Sequence, residues 1–229
     1  MIKIILWDVD GTLLDFEAAE EVAIAKLFDE FGIGICTESM MKRYKEINRG
    51  YWNRLEKGLV TREQVLVGRF KEFFTEIGAD VSKAEAFNEA YQSALGETIA
   101  YCDNSLELVR SLKNKVQQYA VTNGTRVAQE KKLKLSGFGE LMDGVFISEN
   151  LGVDKPDIKF FEQVFAGIDC KDVSKDEILI VGDSLTSDIK GGMNAGIRTC
   201  WYNPHQSELK DGYKADYIIS DLKEILAIS

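Results

Sequence analysis

Ile2-Lys3-Ile4-Ile5-Leu6-Trp7-Asp8-Val9-Asp10-Gly11-Thr12 opens the chain just after Met1. A nearly continuous apolar run of this length reads as a strand buried on both faces, the habit of parallel sheets. It stops at two carboxylates spaced i, i+2 and a glycine turn. Three similar runs follow far downstream, at Gln118–Val121, Val145–Ile147 and Ile178–Val181, with further candidate strands at Arg198–Tyr202 and Tyr217–Ile219. Helical patterns separate them. Thr125–Leu135 ends before Gly137, Asp157–Phe165 before Gly167 and Ser187–Ala195 before Gly196, each glycine suiting a helix C-terminus. Pro156 suits the first turn of the second of these. Alternation of strand and helix predicts an α/β fold, a doubly wound parallel sheet with a Rossmann-like core and helices on both faces.

About 110 residues lie between the first strand and the second. A parallel crossover needs only ~12, so the gap holds an inserted domain. Its pattern is helical throughout: Phe16–Phe31 stops at Gly32, and Glu38–Lys57 stops at Gly58. Thr61-x-x-Gln64 and Ser82-x-x-Glu85 have the form of capping boxes that open two more helices, and Asn104-Ser105 suits the cap of the helix leading back to the sheet. The expected division is a catalytic core over 1–15 and 99–229, with a helical-bundle cap over 16–98.

With 229 residues, 45% apolar and 29% charged, the composition is that of an ordinary globular chain. The balance of 28 basic against 38 acidic residues gives a net charge of −10. Such a surface repels phosphate backbones, so a nucleic-acid polymer is not an expected partner. His205 is the single histidine, which excludes a multi-histidine metal centre, and its place after Pro204 in a polar stretch reads as loop. Cys36, Cys102, Cys170 and Cys200 form no CxxC pair and read as reduced thiols of a cytoplasmic protein. The first apolar run is too short for a secretion signal, and no stretch approaches ~18 apolar residues, so no membrane association is expected.

Ligands of open α/β sheets bind beyond the carboxyl ends of the strands. The first strand is followed by Asp8, Asp10 and Thr12, and the second by Thr122-Asn123-Gly124. Past the third come Ser148-Glu149 and then Lys155-Pro156, and past the fourth Gly182-Asp183 with Asp188. Any one of these has a structural reading as cap, turn or solvated side chain. Their convergence on one edge does not, because like charges held close cost stability unless a cation sits between them. Hard carboxylate oxygens without histidine or thiolate select Mg²⁺, with Asp8 and Asp183 as the direct carboxylates. A carboxylate beside a phosphate can attack phosphorus and form an aspartyl-phosphate. A second carboxyl can protonate the leaving alcohol and then activate water. The Thr122 hydroxyl and the Asn123 and Gly124 amides suit non-bridging phosphate oxygens, and Lys155 suits the charge of nucleophile plus phosphate.

Asp8-Val-Asp-Gly-Thr12, Thr122-Asn-Gly124, Lys155-Pro156 and Gly182-Asp-Ser-Leu-Thr-Ser-Asp188 resemble, in order, the four motifs of the haloacid dehalogenase-like hydrolase superfamily. The resemblance implies Asp8 as nucleophile and Asp10 as general acid/base. It also implies Mg²⁺ held by the Asp8 side chain, the Asp10 carbonyl and Asp183, with Asp188 in the outer shell. Asn48-Arg-Gly-Tyr-Trp52, Gly58–Phe70 and Asn194–Pro204 are similar to the noncanonical pyrimidine nucleotidase branch. That implies a Mg²⁺-dependent 5′-nucleotidase acting on nucleoside monophosphates, pyrimidine and deoxy forms foremost, as a monomer or weak homodimer. Gly11 stands where that branch often carries another acidic residue. The alternative is a phosphatase of another small ester, such as phosphoglycolate or a sugar phosphate. A dehalogenase needs no acid at position 10, and a receiver domain would carry its acceptor aspartate after the third strand. In the cap, Tyr44, Asn48 and Trp52 share one helical face. Trp52 and Arg62 read as substrate contacts by resemblance, and Tyr44 and Trp52 as cap core by pattern.

Overall fold

The computed structural model describes residues 1–228. The chain divides into two compact units, Met1–Phe16 with Ile99–Ser229, and Glu17–Thr98.

The first unit holds six parallel strands in the order β3-β2-β1-β4-β5-β6. They are β1 (Ile4–Trp7), β2 (Gln117–Thr122), β3 (Gly144–Ile147), β4 (Ile178–Gly182), β5 (Arg198–Tyr202) and β6 (Tyr217–Ile219). β1 lies at the centre, with Trp7 in register with Ala120 of β2 and Val181 of β4. Successive side chains of a strand face opposite ways, and the core follows that rule. Ile5 and Trp7 join Leu179, Val181, Leu108 and Phe138 on one face, and Ile4 and Leu6 join Ile178, Ile180, Phe160 and Val164 on the other. All four residues of β1 are wholly buried, which accounts for its unbroken apolar run. The expectation of full burial fails at β3, where Val145 is exposed, because β3 is an edge strand.

Helices α1 (Phe16–Glu30), α2 (Glu38–Glu56), α3 (Arg62–Ile77) and α4 (Ala84–Leu95) follow β1. Thr61 and Gln64 form the expected reciprocal cap at the start of α3. Ser82 does not open α4: Asp80 caps a short 3₁₀ turn at Val81–Lys83, and α4 starts from it without a side-chain cap. Phe28, Tyr44, Phe70, Phe73, Phe74, Phe87 and Tyr91 build a buried aromatic core in the second unit. That core also encloses Glu20, Asn48, Arg69 and Asn88. Asn48 donates to Glu20 at 2.9 Å and accepts from Arg69 at 2.7 Å.

The chain re-enters the first unit through α5 (Ser105–Leu112), whose N-terminal Asn104 makes no side-chain cap bond. Then come α6 (Arg126–Ser136), α7 (Phe138–Leu141), α8 (Ser148–Leu151), α9 (Ile158–Gly167) and α10 (Lys190–Ala195). The helix expected from Ser187 is a π turn over Leu185–Ile189 that runs on into α10. Asp157 is the cap of α9, accepting from the Lys159 amide at 2.9 Å, so Pro156 precedes the helix rather than opening it. Among the described residues, no helix is long and apolar enough to cross a membrane.

Candidate active site

Three parallel strands end side by side at the same sheet edge: β1 before Asp8, β2 at Thr122 and β4 at Gly182. The Asp8 amide donates to the Val181 carbonyl at 2.9 Å, which carries the ladder one residue further and fixes where the first carboxylate emerges. Carboxylate oxygens of Asp8, Asp183 and Asp188 lie within 4.8 Å of one another. The ammonium of Lys155, 1% exposed, sits among them. Its three donors reach Asp8 Oδ1 at 2.8 Å, Asp188 Oδ1 at 2.7 Å and the Val121 carbonyl at 2.8 Å.

Each group is seated by its neighbours. The Asn123 side chain clasps the backbone of Lys155, donating to its carbonyl at 2.8 Å and accepting from its amide at 2.9 Å. Two loops on different strands are thereby locked in register. The Gly124 amide donates to the Thr122 hydroxyl at 3.0 Å, leaving that hydroxyl proton to be given elsewhere. Thr12 donates to Asp8 Oδ2 at 3.1 Å and accepts from the Asp183 amide at 3.1 Å. Trp201 of β5 donates to the Asp183 carbonyl at 2.8 Å. Asp188, fully buried, accepts through Oδ2 from the Ser184 amide at 3.1 Å.

Two glycines make this density possible. A Cβ at Gly182 would stand 2.3 Å from the Asp188 carboxyl carbon. Gly11 has φ of 90°, and a Cβ there would stand 2.8 Å from Asp183 Oδ2. On this backbone an acidic side chain at position 11 would meet both strain and a like charge.

Three carboxylates around one ammonium leave an excess of two negative charges when all four are ionised. Burial first, and then the charge of Asp188, push the Asp8 carboxyl up to about 7 against the pull of Lys155. Asp183 is raised well above the carboxylate range by the protein packed around it and by Asp8 and Asp188. Because Asp183 is itself exposed, the neighbouring charges are the cause that governs it. Lys155 would lose its proton more easily by burial alone, but Asp188 and Asp8 outweigh that and hold it protonated. Hard oxygen donors, an excess of two charges and one solvent-facing carboxylate fit a small divalent cation.

Asp10 is not part of the acidic triad. Its carboxylate accepts from Gln129 Nε2 at 2.6 Å and from the Lys132 ammonium, both on α6. Gln129 and Lys132 lie outside the four motifs, which do not reveal them as contacts of Asp10. The available signal was periodic: Ala128, Lys132 and Leu133 share the buried face of α6 with Gln129 and Ser136. A lysine on a buried stripe marks a charge with a partner. In the second unit Tyr44 is wholly buried and stacked on Phe70 at 5.2 Å between ring centroids, so it is core. Trp52 is half-buried, with the Arg62 guanidinium 5.7 Å from its ring centroid.

The sequence pattern of haloacid dehalogenase-like hydrolases matches residues 5–202. The pyrimidine 5′-nucleotidase PynA of Streptococcus pneumoniae is 34% identical over 98% of this chain and 93% of its own length. The pyrimidine 5′-nucleotidase YjjG of Escherichia coli is 29% identical over 96% of this chain and 95% of its own. Among solved structures, the magnesium-bound putative HAD-hydrolase YfnB of Bacillus subtilis superposes with a TM-score of 0.93 at 36% identity, over 99% of this chain and 98% of that one. A match across most of the length, with all four motifs gathered at one sheet edge, makes this chain a member of the haloacid dehalogenase-like hydrolase family.

Proposed function

We propose that this protein is a Mg²⁺-dependent phosphatase of nucleoside 5′-monophosphates, with pyrimidine and deoxy forms preferred, working through an aspartyl-phosphate at Asp8. The observation that carries the reading is the seat of Asp8 at the end of β1, in contact with Lys155 and within 4.8 Å of two further carboxylates. The identity to two pyrimidine 5′-nucleotidases supports the substrate class.

Asp8, Asp183 and the Asp10 carbonyl would hold Mg²⁺, with Asp188 behind them. When bound, the ion supplies positive charge to the phosphate and to the carboxylate that approaches it. Asp8 attacks phosphorus as the ester P–O bond breaks, and the leaving oxygen takes its proton from the Asp10 carboxyl. Water then attacks the aspartyl-phosphate at phosphorus and gives its proton to Asp10, and the bond to Asp8 breaks to release phosphate. Lys155 holds Asp8 oriented and balances charge as the dianion arrives. The Thr122 hydroxyl and the amides of Asn123 and Gly124 orient the non-bridging oxygens.

The test is a panel of phosphate esters assayed with Mg²⁺ by kcat/KM. Pyrimidine deoxynucleotides should exceed purine nucleotides, sugar phosphates and phosphoglycolate. A dominant sugar phosphate or phosphoglycolate would overturn the nucleotide assignment and leave the phosphatase chemistry intact. Halide release from a 2-haloacid without phosphatase activity would overturn both.

A further inference from the structure

Lys132 and Gln129 lie one turn apart on α6, and both are 1% exposed. Buried lysines are rare unless paired, because a desolvated ammonium is costly. This one is spent on a single carboxylate, Asp10, whose side chain remains 21% exposed. Gln129 takes the other oxygen of the same group, so Oδ1 and Oδ2 are each held by a different side chain. The Lys132 ammonium also stands 5.2 Å from the ring centroid of Phe16, which closes its apolar side.

The backbone is shaped to admit this clamp. A Cβ at Gly124 would lie 2.2 Å from Gln129 Nε2 and 2.8 Å from its amide carbon. Any other residue at 124 would push Gln129 off Asp10. The glycine of the Thr122-Asn-Gly124 motif thus serves the acid/base as well as the phosphate loop. The Gln129 backbone amide donates to the Thr125 carbonyl at 2.9 Å, in the first turn of the helix that directly follows the motif, and that helix delivers both clamp residues. Gln129 Oε1 is buried with no hydrogen-bond partner among the described residues. An amide that leaves its own acceptor unpaired to donate to Asp10 is held there by that one contact.

We infer that Lys132 and Gln129 are the positioning residues of Asp10, fixing its carboxyl group for proton transfer to the leaving oxygen and from the attacking water. The inference rests on the acid/base role proposed for Asp10. Lys132 would touch neither substrate nor metal, and its effect on the reaction would pass entirely through Asp10.

A double-mutant cycle with two substrates separates the possibilities. Lys132→Met and Gln129→Leu keep side-chain bulk, and their melting curves report whether either variant is folded. Each should lower kcat for a nucleoside monophosphate by about 10-fold or more, within the range for general acid–base catalysis, with KM changed by less than about 3-fold. The loss should be smaller for single-turnover release of p-nitrophenol from p-nitrophenyl phosphate, whose leaving group needs little protonation. In an Asp10→Asn background neither substitution should cost further activity. A second loss of full size there, or a rise in KM without a fall in kcat, would overturn the inference by showing direct contact with substrate. Normal kcat in both folded variants alongside an inactive Asp10→Asn would overturn it while leaving the role of Asp10 standing. An active Asp10→Asn would overturn the parent reading instead.

Discussion

Lys155 concentrates the physics of the site in one side chain. It is buried, makes three hydrogen bonds and touches two of the three clustered carboxylates. Lys155→Met should cut kcat/KM by about 10²-fold or more, as expected for loss of one preorganised electrostatic group. It should also destabilise the fold by about 3–5 kcal/mol, because it strands Asp8 and Asp188 without their counter-charge. Steady-state kinetics and urea unfolding measure the two effects separately. Unchanged stability would mean that the carboxylates take up protons in place of the lost ammonium. Asp8, Asp10 and Asp183 stand out in the sequence because each lies just past a strand end, and the topology brings those ends together, while Lys155 lies further on, past α8, and Asp188 inside the π turn. Lys132 and Gln129 leave a fainter mark, since they sit mid-helix, where a polar residue ordinarily faces solvent, and only their place on the buried stripe of α6 sets them apart. Nor does a motif tell that Asn123 spends its side chain on the backbone of Lys155.

At the scale of elements, each apolar run in the sequence lies within two residues of its observed strand at both ends, and for β1 and β4 the cause is full burial, which shows in composition. The turn after β4 was misread, since a helical pattern cannot distinguish α from π winding. That winding places Ser184 and Asp188 so that the Ser184 amide meets the Asp188 carboxylate. α10, which continues it, lies close to the sheet: a Cβ on Gly192 would stand 2.5 Å from Thr199 Cγ2 and 2.6 Å from Ile180 Cγ2. Gly192→Ala should therefore cost about 1–3 kcal/mol through overpacking, read as a lowered urea midpoint. It should also lower kcat, because the π turn that carries Asp188 moves with the helix. In the helical unit, burial drives the Glu20 carboxyl up to about 7, against its bond from Tyr91 and the charge of Arg69. The folded state then binds a proton that the unfolded chain releases near 4.5. The resulting stability is complete below the unfolded value and is lost as pH rises toward the folded one, about 3 kcal/mol in all. The thermal stability of the wild type should fall between about pH 5 and about pH 7, and Glu20→Gln should remove that part of the slope. An identical slope in both proteins would assign the pH dependence to other groups. The buried Glu20–Asn48–Arg69 network was invisible in the sequence, where Asn48 reads only as one member of a helical face with Tyr44 and Trp52.

For the whole molecule, a surface of net charge −10 must receive a dianionic substrate. The local excess of negative charge at Asp8, Asp183 and Asp188 makes that harder until a cation is bound. Activity should vanish in EDTA and return with Mg²⁺. Binding to the folded state alone should also raise the melting temperature, by an amount equivalent to about 2.7 kcal/mol at a hundredfold excess over Kd. Asp183→Asn should lose most of that shift, and an undiminished shift in that variant would place the ion elsewhere. In the proposed mechanism Asp8 carries the phosphoryl group in passing. The most direct measurement of this step is acid-quenched reaction of the Asp10→Asn variant with a phosphate ester of a good leaving group, followed by borohydride reduction and peptide mapping. Without the base at position 10, the phosphorylated enzyme should accumulate, and reduction should convert residue 8 alone to homoserine. Absence of any reducible acyl phosphate, or its appearance at a residue other than Asp8, would contradict the mechanism.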